Sequence, residues 1–123
     1  MQQKTTGFKR FYYASRYSWQ GLKAAYSNEP AFRYEVWAGI GLVPASFLVA
    51  MTATQWALLI SAYLLILVME LLNTAIEAVV DRAGMEYNPM AGLAKDLGSA
   101  AVTVSITICT IIWLAIMVDN SAI

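Results

Sequence analysis

The chain of 123 residues contains no histidine and only one cysteine, Cys109. A single cysteine excludes an intrachain disulfide and a cysteine-rich metal cluster. Without histidine, a proton transfer at neutral pH must fall to a carboxylate, a lysine or a tyrosine. A glycine-rich phosphate loop is also missing, since Gly92–Lys95 does not match the Walker pattern. Any nucleotide site in this chain must therefore be built in another way.

Charged residues are scarce as well. They make up 13% of the sequence, against 59% hydrophobic residues, which is far from the balance of a soluble domain. Two long stretches, 56–72 and 97–118, are almost free of charge, and a shorter one, 36–51, contains Pro44. Because roughly 20 apolar residues in helical form cross a bilayer core, each stretch predicts a membrane span. We expect one all-α membrane domain over residues 1–123, with transmembrane helices at about 30–51, 55–83 and 89–118.

The lysines and arginines are unevenly distributed. Of the eight, six precede residue 34, and the other two, Arg82 and Lys95, lie between the second and third predicted spans. The turn at 52–55 and the C-terminal segment 119–123 contain none. Because basic residues collect on the cytoplasmic side of a membrane, we expect a cytoplasmic N-terminus and a C-terminus on the opposite side. An odd number of spans is consistent with this arrangement.

Residues 7–27 have the pattern of an amphipathic helix. Aromatic and apolar side chains recur at three- and four-residue spacing on one face, and basic and polar side chains occupy the other. The apolar face contains Phe8, Phe11, Tyr12, Trp19, Leu22 and Tyr26. A helix of this kind beside a membrane span is expected to lie in the headgroup plane. It either serves only as an anchor or also presents its polar side to a substrate.

A row of polar residues marks the second half of the second predicted span. The row consists of Glu70, Asn73, Glu77 and Asp81, which fall within an arc of roughly 80° on a helical wheel. Ionisable groups are costly at membrane depth, and where they occur they usually serve function. The alternative, that Glu77 and Asp81 have already left the membrane and are simply solvated, suits Asp81. It does not suit Glu70, which follows an unbroken apolar run, so the row indicates a functional site.

Polar residues of the other two spans reach the same membrane level. Glu29 and Glu35 lie at one end of the first span, and Lys95 and Asp96 lie at the corresponding end of the third. Carboxylate oxygens suit Mg²⁺, which proteins often bind through one or two carboxylates plus substrate phosphates. A lysine beside them suits a phosphate group. The pattern therefore predicts a site for a phosphorylated ligand and a magnesium ion.

Four segments carry a resemblance to a known family. They are NEPAFRYE (28–35), ELLNTAIEAVVDR (70–82), EY (86–87) and AKDLGSAAV (94–102). Together they resemble the bacterial integral-membrane diacylglycerol kinases, and the resemblance runs from TTGFKR near the N-terminus to Trp113. It implies a homotrimer in the bacterial inner membrane, with the C-terminus in the periplasm. It also implies transfer of the γ-phosphate of ATP to diacylglycerol with Mg²⁺, which produces phosphatidic acid.

The resemblance also assigns roles to individual residues. It implies that Glu70 is the catalytic base on the lipid hydroxyl, that Glu29 and Glu77 hold the metal, and that Asn73 organises the site. It implies ATP contacts from Arg10, Tyr17, Glu29, Glu77, Glu86, Tyr87, Lys95 and Asp96. It implies lipid contacts from Arg10, Ser15, Trp19, Glu35, Glu70, Ser99 and Trp113.

Two alternatives remain open at this point. One branch of the same family phosphorylates undecaprenol, and the core motif does not distinguish the two substrates, although TTGFKR and the segment 98–101 favour diacylglycerol. A protein of another class, a membrane subunit without activity that assembles a larger complex, is disfavoured because packing alone requires no carboxylates in the membrane. The expected partners are ATP, a membrane lipid and further copies of the chain, with no nucleic acid.

Overall fold

The computed structural model describes residues 7–83 and 88–121, and within these ranges the chain consists of helices and short connections without a β-strand. The four helices are α1 (Phe8–Asn28), α2 (Pro30–Val49), α3 (Ala53–Ala83) and α4 (Pro89–Ser121). The prediction of an all-α chain is confirmed.

Local sequence explains where the helices begin. α2 starts at Pro30, whose fixed φ suits a first helical turn and whose missing N–H would have no partner there. α4 starts at Pro89 for the same reason. The side chain of Asn88 caps α4, because its Oδ1 accepts hydrogen bonds from the backbone N–H groups of Met90 (2.8 Å) and Ala91 (3.4 Å).

α3 and α4 form an antiparallel hairpin, which is the largest helix interface in the described part of the chain. Trp113 Nε1 donates to the carbonyl of Leu59 at 3.3 Å, and far from this contact Asp81 and Lys95 join the same two helices by an ion pair. Between them lies a small apolar core of Ala62, Ile66 and Cys109. We call the end with the ion pair the charged end, and the opposite end, beside the connection between α2 and α3, the turn end.

The elbow between α1 and α2 is held by two side chains of α2. Nη1 of Arg33 donates to the carbonyls of Tyr26 (3.0 Å) and Ser27 (3.2 Å), and Nε1 of Trp37 donates to the hydroxyl of Tyr26 at 2.9 Å. The last carbonyls of a helix lack intrahelical partners and carry partial negative charge, so a guanidinium there stabilises the end of α1. The elbow fixes Glu29, which lies between the two helices.

At the turn end, one carboxamide pair joins three helices. Gln55 Nε2 donates to Asn120 Oδ1 at 3.1 Å, and Asn120 Nδ2 donates to Gln55 Oε1 at 3.0 Å and to the carbonyl of Val49 at 2.6 Å. These bonds connect the last residue of α2, the first turn of α3 and the last turn of α4. The register of the three helices is therefore fixed at this end.

α3 and α4 are each long and apolar enough to cross a membrane. Among the described helices, α2 does not meet this criterion of length and apolar composition. It has 20 residues and carries Arg33 and Glu35 in its first two turns. Large apolar side chains of the hairpin, such as Val68, Ile111 and Leu114, are exposed in the single chain. A continuous apolar surface of this kind must be covered by lipid or by other chains. α3 and α4 are therefore two candidate membrane spans.

Candidate functional site

The polar row of α3 becomes more exposed towards the charged end. Glu70 is 6% exposed, Asn73 and Glu77 are half-buried, and Asp81 is exposed. Water therefore reaches Asp81 freely. For this residue, the alternative interpretation of a simply solvated carboxylate fits the structure. Glu70 is instead enclosed among apolar helices. A group so costly to bury points to a chemical role rather than to solvation.

Asn73 orients Glu77 within this row. Its Nδ2 donates to Glu77 Oε1 at 3.0 Å, one helical turn further along α3. The opposite side of the amide lies against Gly98 of α4, where a Cβ atom would collide with Asn73 Oδ1. Gly98 therefore leaves room for Asn73, and the Asn73 Oδ1 atom is buried without a partner among the described residues. The α3–α4 packing fixes the rotamer that holds Glu77.

Four carboxylates from two helices and the elbow form what we call the acidic cluster: Glu29, Glu35, Glu70 and Glu77. Glu70 lies within electrostatic reach of Glu77 and Glu29, and Glu35 lies within reach of Glu70. Like charges in a partly buried site repel one another, so the cluster favours the binding of cations or protons. One oxygen of Glu35 is buried without a hydrogen-bond partner among the described residues.

A cation from α4 stands next to the acidic cluster. The ammonium of Lys95 pairs with Asp81 at 2.6 Å and acts electrostatically on Glu77. The Lys95 and Asp81 side chains are 43% and 64% exposed, so water screens the pair and its contribution to stability is at most about 1 kcal/mol. The clearer effect of the pair is geometric, because it holds the Lys95 ammonium at Asp81, one helical turn along α3 from Glu77.

The donor atoms of the cluster fit Mg²⁺. Within the described residues no group of three or more metal-ligating side chains is close enough to form a complete protein cage. Mg²⁺ does not require such a cage, because it binds through one or two carboxylates and takes its other oxygens from phosphates and water. Glu77, whose carboxylate is bonded to Asn73, and Glu29, whose backbone is positioned by the elbow, offer carboxylates of this kind.

A cavity of about 530 Å³ opens between α1 and α3 and reaches Glu29. Its wall is mainly apolar and is made by small residues, among them Gly21 and Ala24 of α1 and Ala75 and Ala78 of α3. The volume lies within the range of small-molecule sites in proteins. An apolar cavity that ends at a carboxylate suits a ligand with an apolar body and a polar head.

The sequence-predicted residues of α1 do not join the acidic cluster in the single chain. Arg10, Ser15, Tyr17 and Trp19 are exposed along α1, and Tyr17 stacks on Tyr13 with ring centroids 6.3 Å apart. Within the described residues, no hydrogen bond or ion pair joins the four side chains to the acidic cluster.

The remaining predicted residues lie on α4 or outside the described ranges. Asp96 and Ser99 are exposed near the charged end. Trp113 lies much nearer the turn end, where it packs on the apolar core and its indole N–H is bonded to Leu59, so the structure does not bring it to the acidic cluster. The predicted ATP contacts Glu86 and Tyr87 lie outside the described residues.

Sequence reasoning gave no role to three residues that shape the site. Gly98 accommodates Asn73, and Gly39 of α2 accommodates the ring of Tyr63 on α3. Glycines inside helices carry no signal of what fills the space beside them, so neither could be assigned. Tyr63 does carry a signal, because a tyrosine in an otherwise apolar helical run needs a hydrogen-bond partner for its hydroxyl.

The sequence of the chain is similar to those of known proteins. The family model described as prokaryotic diacylglycerol kinase matches residues 16–117. The diacylglycerol kinase of Escherichia coli (strain K12) is 48% identical over 113 residues, which are 92% of this chain and 93% of that protein. Those of Pseudomonas aeruginosa and Haemophilus influenzae are 45% identical over 112 residues (91% of each chain) and 44% identical over 110 residues (89% and 93%).

Proposed function

Because the chain belongs to the prokaryotic diacylglycerol kinase family, we propose that it transfers the γ-phosphate of ATP to the hydroxyl group of diacylglycerol and so produces phosphatidic acid. The observation that carries this proposal is the burial of Glu70, 6% exposed, one turn along α3 from the Asn73–Glu77 pair. The Lys95 ammonium lies further along the same helix, where it pairs with Asp81. A base, a metal-binding carboxylate and a cation are the groups that phosphoryl transfer to an alcohol requires.

Glu70 acts as the general base in the proposed mechanism. Its carboxylate accepts the proton of the lipid hydroxyl while the hydroxyl oxygen forms a bond to the γ-phosphorus. The bond from that phosphorus to the oxygen that bridges the β- and γ-phosphates breaks, and ADP leaves with the electron pair. The apolar surroundings of Glu70 keep water from competing with the lipid hydroxyl as the nucleophile.

Positive charge near the γ-phosphate completes the proposed site. Lys95, placed by Asp81, neutralises phosphate charge from the side of α4. Glu29 and Glu77 hold Mg²⁺, which when bound supplies further neutralisation of the phosphate oxygens. Asn73 keeps Glu77 in its orientation through the 3.0 Å hydrogen bond.

The remaining contacts of the two substrates are part of the same proposal. ATP is contacted by Arg10, Tyr17, Glu29, Glu77, Glu86, Tyr87, Lys95 and Asp96. The lipid is contacted by Arg10, Ser15, Trp19, Glu35, Glu70, Ser99 and Trp113. The apolar cavity that ends at Glu29 supports a lipid near this site, since a diacylglycerol has an apolar body and a small polar head.

We further propose how the chain sits in the membrane. The exposed aromatic side chains of α1, such as Phe8 and Trp19, support a helix that lies in the headgroup plane. α2 is the third span, at about 30–51, together with 55–83 and 89–118. The lysines and arginines near the charged end support a cytoplasmic location for that end and for the N-terminus, with the C-terminus in the periplasm.

The active form is proposed to be a homotrimer with sites shared between subunits. The exposed apolar side chains of α3 and α4 leave surface for neighbouring chains. The α1 residues Arg10 and Tyr17 are exposed and separate from the acidic cluster of their own chain. In a homotrimer, these two residues would act at the acidic cluster of a neighbouring subunit.

Phosphorylation by the purified protein tests the proposed function. The full chain in mixed micelles is given Mg²⁺, ATP labelled at the γ-phosphate, and either diacylglycerol or undecaprenol. Labelled phosphatidic acid above the level of a Glu70→Gln preparation supports the proposal. Preference for undecaprenol would assign the chain to the other branch of substrates, and no transfer to either lipid would support an assembly subunit without activity.

A further inference from the structure

Tyr63 is buried in α3 with its hydroxyl directed at the backbone of α2. Its side chain is 6% exposed, and the hydroxyl donates to the carbonyl of Glu35 at 2.9 Å, with the carbonyl of Val36 at 3.5 Å. A buried hydroxyl without a partner is costly, so this bond constrains the position of α2 along α3. An apolar side chain would impose no such constraint.

Gly39 provides the space that Tyr63 occupies. A Cβ atom at Gly39 would overlap the hydroxyl and Cζ of Tyr63. Gly41, two residues further along α2, has nothing within 4 Å of such an atom. The two glycines therefore differ in their surroundings. The missing side chain of Gly39 leaves space for the Tyr63 ring, whereas Gly41 faces open space.

This contact is in register with the acidic cluster. Glu35 lies one turn before Gly39 on α2, so the turn that receives Tyr63 also carries Glu35. Tyr63 and Glu70 are seven residues apart and lie on the same face of α3. Glu35 is thus located between the Tyr63 contact and Glu70, and its carboxylate lies within electrostatic reach of Glu70.

We propose that Tyr63, seated at Gly39, is a positioning residue that sets the place of Glu35 relative to Glu70, and so orients the lipid hydroxyl for transfer. The inference rests on the proposed function, in which Glu35 contacts the lipid and Glu70 is the base. Glu77 lies on α3 and Lys95 on α4, so these two nucleotide contacts do not depend on the position of α2. Glu29 precedes α2 and moves with it, so the lipid contacts are expected to be affected more than the nucleotide contacts, but not exclusively.

Gly39→Ala and Gly41→Ala form a matched pair for the test. Both replace glycine by alanine in the same helix and change helix propensity alike, but only the first displaces Tyr63. Per folded enzyme, Gly39→Ala is expected to lower kcat at least fivefold and to raise the KM for diacylglycerol more than the KM for ATP. Gly41→Ala is expected to leave all three unchanged.

Removal of the ring should abolish the difference between the glycine variants. In the Tyr63→Leu background, Gly39→Ala is expected to cost less than twofold in kcat, because the Cβ atom then meets no tyrosine. Tyr63→Phe keeps the ring and tests the hydroxyl, with an expected two- to fivefold fall in kcat and a raised KM for the lipid. The exposed Tyr34 supplies the control Tyr34→Phe, for which no change is expected.

Three results would overturn the inference: equal kinetics of Gly39→Ala and Gly41→Ala, a Gly39→Ala loss that persists in the Tyr63→Leu background, or a matching rise in the KM for ATP. Tyr63→Phe with wild-type kinetics would overturn the part played by the hydroxyl. The wild-type rate tests the proposed function, whereas the ratio between the two glycine variants tests only this inference.

Discussion

The ammonium of Lys95 on α4 is joined to the carboxylate of Asp81 on α3 by a 2.6 Å ion pair, and Asp81 lies one helical turn along α3 from Glu77. Both partners are exposed enough that water weakens the attraction. The main effect of Asp81 is therefore to position the Lys95 ammonium. Its contribution to the stability of the α3–α4 hairpin is small.

The first prediction is that Asp81→Asn raises the KM for ATP about two- to fivefold, because Lys95 then spends less time near the phosphates. The free energy of unfolding should change by less than about 1 kcal/mol, as for other exposed pairs. Asp119→Asn, an exposed carboxylate at the turn end, is the control. A fall in the KM for ATP would contradict the prediction, since it would mean that Asp81 competes with phosphate for Lys95.

The second prediction concerns the general base. Glu70→Gln keeps the size of the side chain but removes its ability to accept a proton, so kcat should fall by roughly 100-fold or more. Binding of ATP should change little, because Lys95 pairs with Asp81, about three turns further along α3 than Glu70. The measurement is steady-state turnover together with nucleotide binding. Near-normal turnover of correctly assembled Glu70→Gln protein would falsify the role of general base.

The third prediction concerns the metal. Glu29→Ala and Glu77→Ala each remove an oxygen ligand, so each should raise the Mg²⁺ concentration needed for half-maximal activity and weaken ATP binding. Titration of activity with Mg²⁺ at fixed ATP provides the measurement. If both titration curves overlay that of the wild type, the two carboxylates are not ligands.

The fourth prediction compares two glycines of α4. Gly98→Ala pushes a methyl group into Asn73, so the bond to Glu77 should be lost, and activity should fall about tenfold with a raised Mg²⁺ requirement. The overpacking should also cost about 1–3 kcal/mol of stability. Gly92→Ala has open space at its Cβ position and should keep full activity. Similar Mg²⁺ titrations for the two variants would show that Asn73 does not act through this contact.

The fifth prediction concerns shared sites. Arg10→Ala chains and Glu70→Gln chains, each impaired alone at low ATP, should regain activity when co-refolded, because some mixed oligomers combine an intact α1 with an intact acidic cluster of a neighbour. Glu29→Ala chains mixed with Glu70→Gln chains are the control. Both residues belong to the cluster of one chain, so every site carries a lesion. No recovery in confirmed Arg10/Glu70 mixed oligomers would rule out α1 serving a neighbouring site.

The helical architecture was accessible from sequence because its determinants are local. Apolar runs and the prolines at 30 and 89 mark helices whatever packs around them. The α3 polar row was equally accessible, since helical spacing alone puts Glu70 and Glu77 on one face. The family that these residues resemble is confirmed by the comparisons, whereas the role of the row as the site stays a prediction.

The contacts between helices could not be obtained in this way. The seat of Tyr63 at Gly39 and that of Asn73 at Gly98 depend on the register of one helix against another, which a single sequence does not record. The same applies to the pairing of Lys95 with Asp81, since each residue taken alone is an ordinary exposed charge. These contacts fix the orientation of the site, whereas the sequence pattern fixes only its composition.

The lengths of the two hairpin helices determine how deep the chemistry lies. Their far ends are joined through Gln55 and Asn120, so depth can be counted along α3 from Ala53. At 1.5 Å per residue, Glu70 lies about 26 Å from that end and Glu77 about 36 Å, against a hydrocarbon core of about 30 Å. With Ala53 at one edge of the hydrocarbon core, the proposed base Glu70 lies just inside the core and the proposed metal ligand Glu77 just outside it. In the proposed mechanism, the reaction then takes place at the boundary where a lipid hydroxyl and a water-soluble phosphate can meet without either one leaving its own phase.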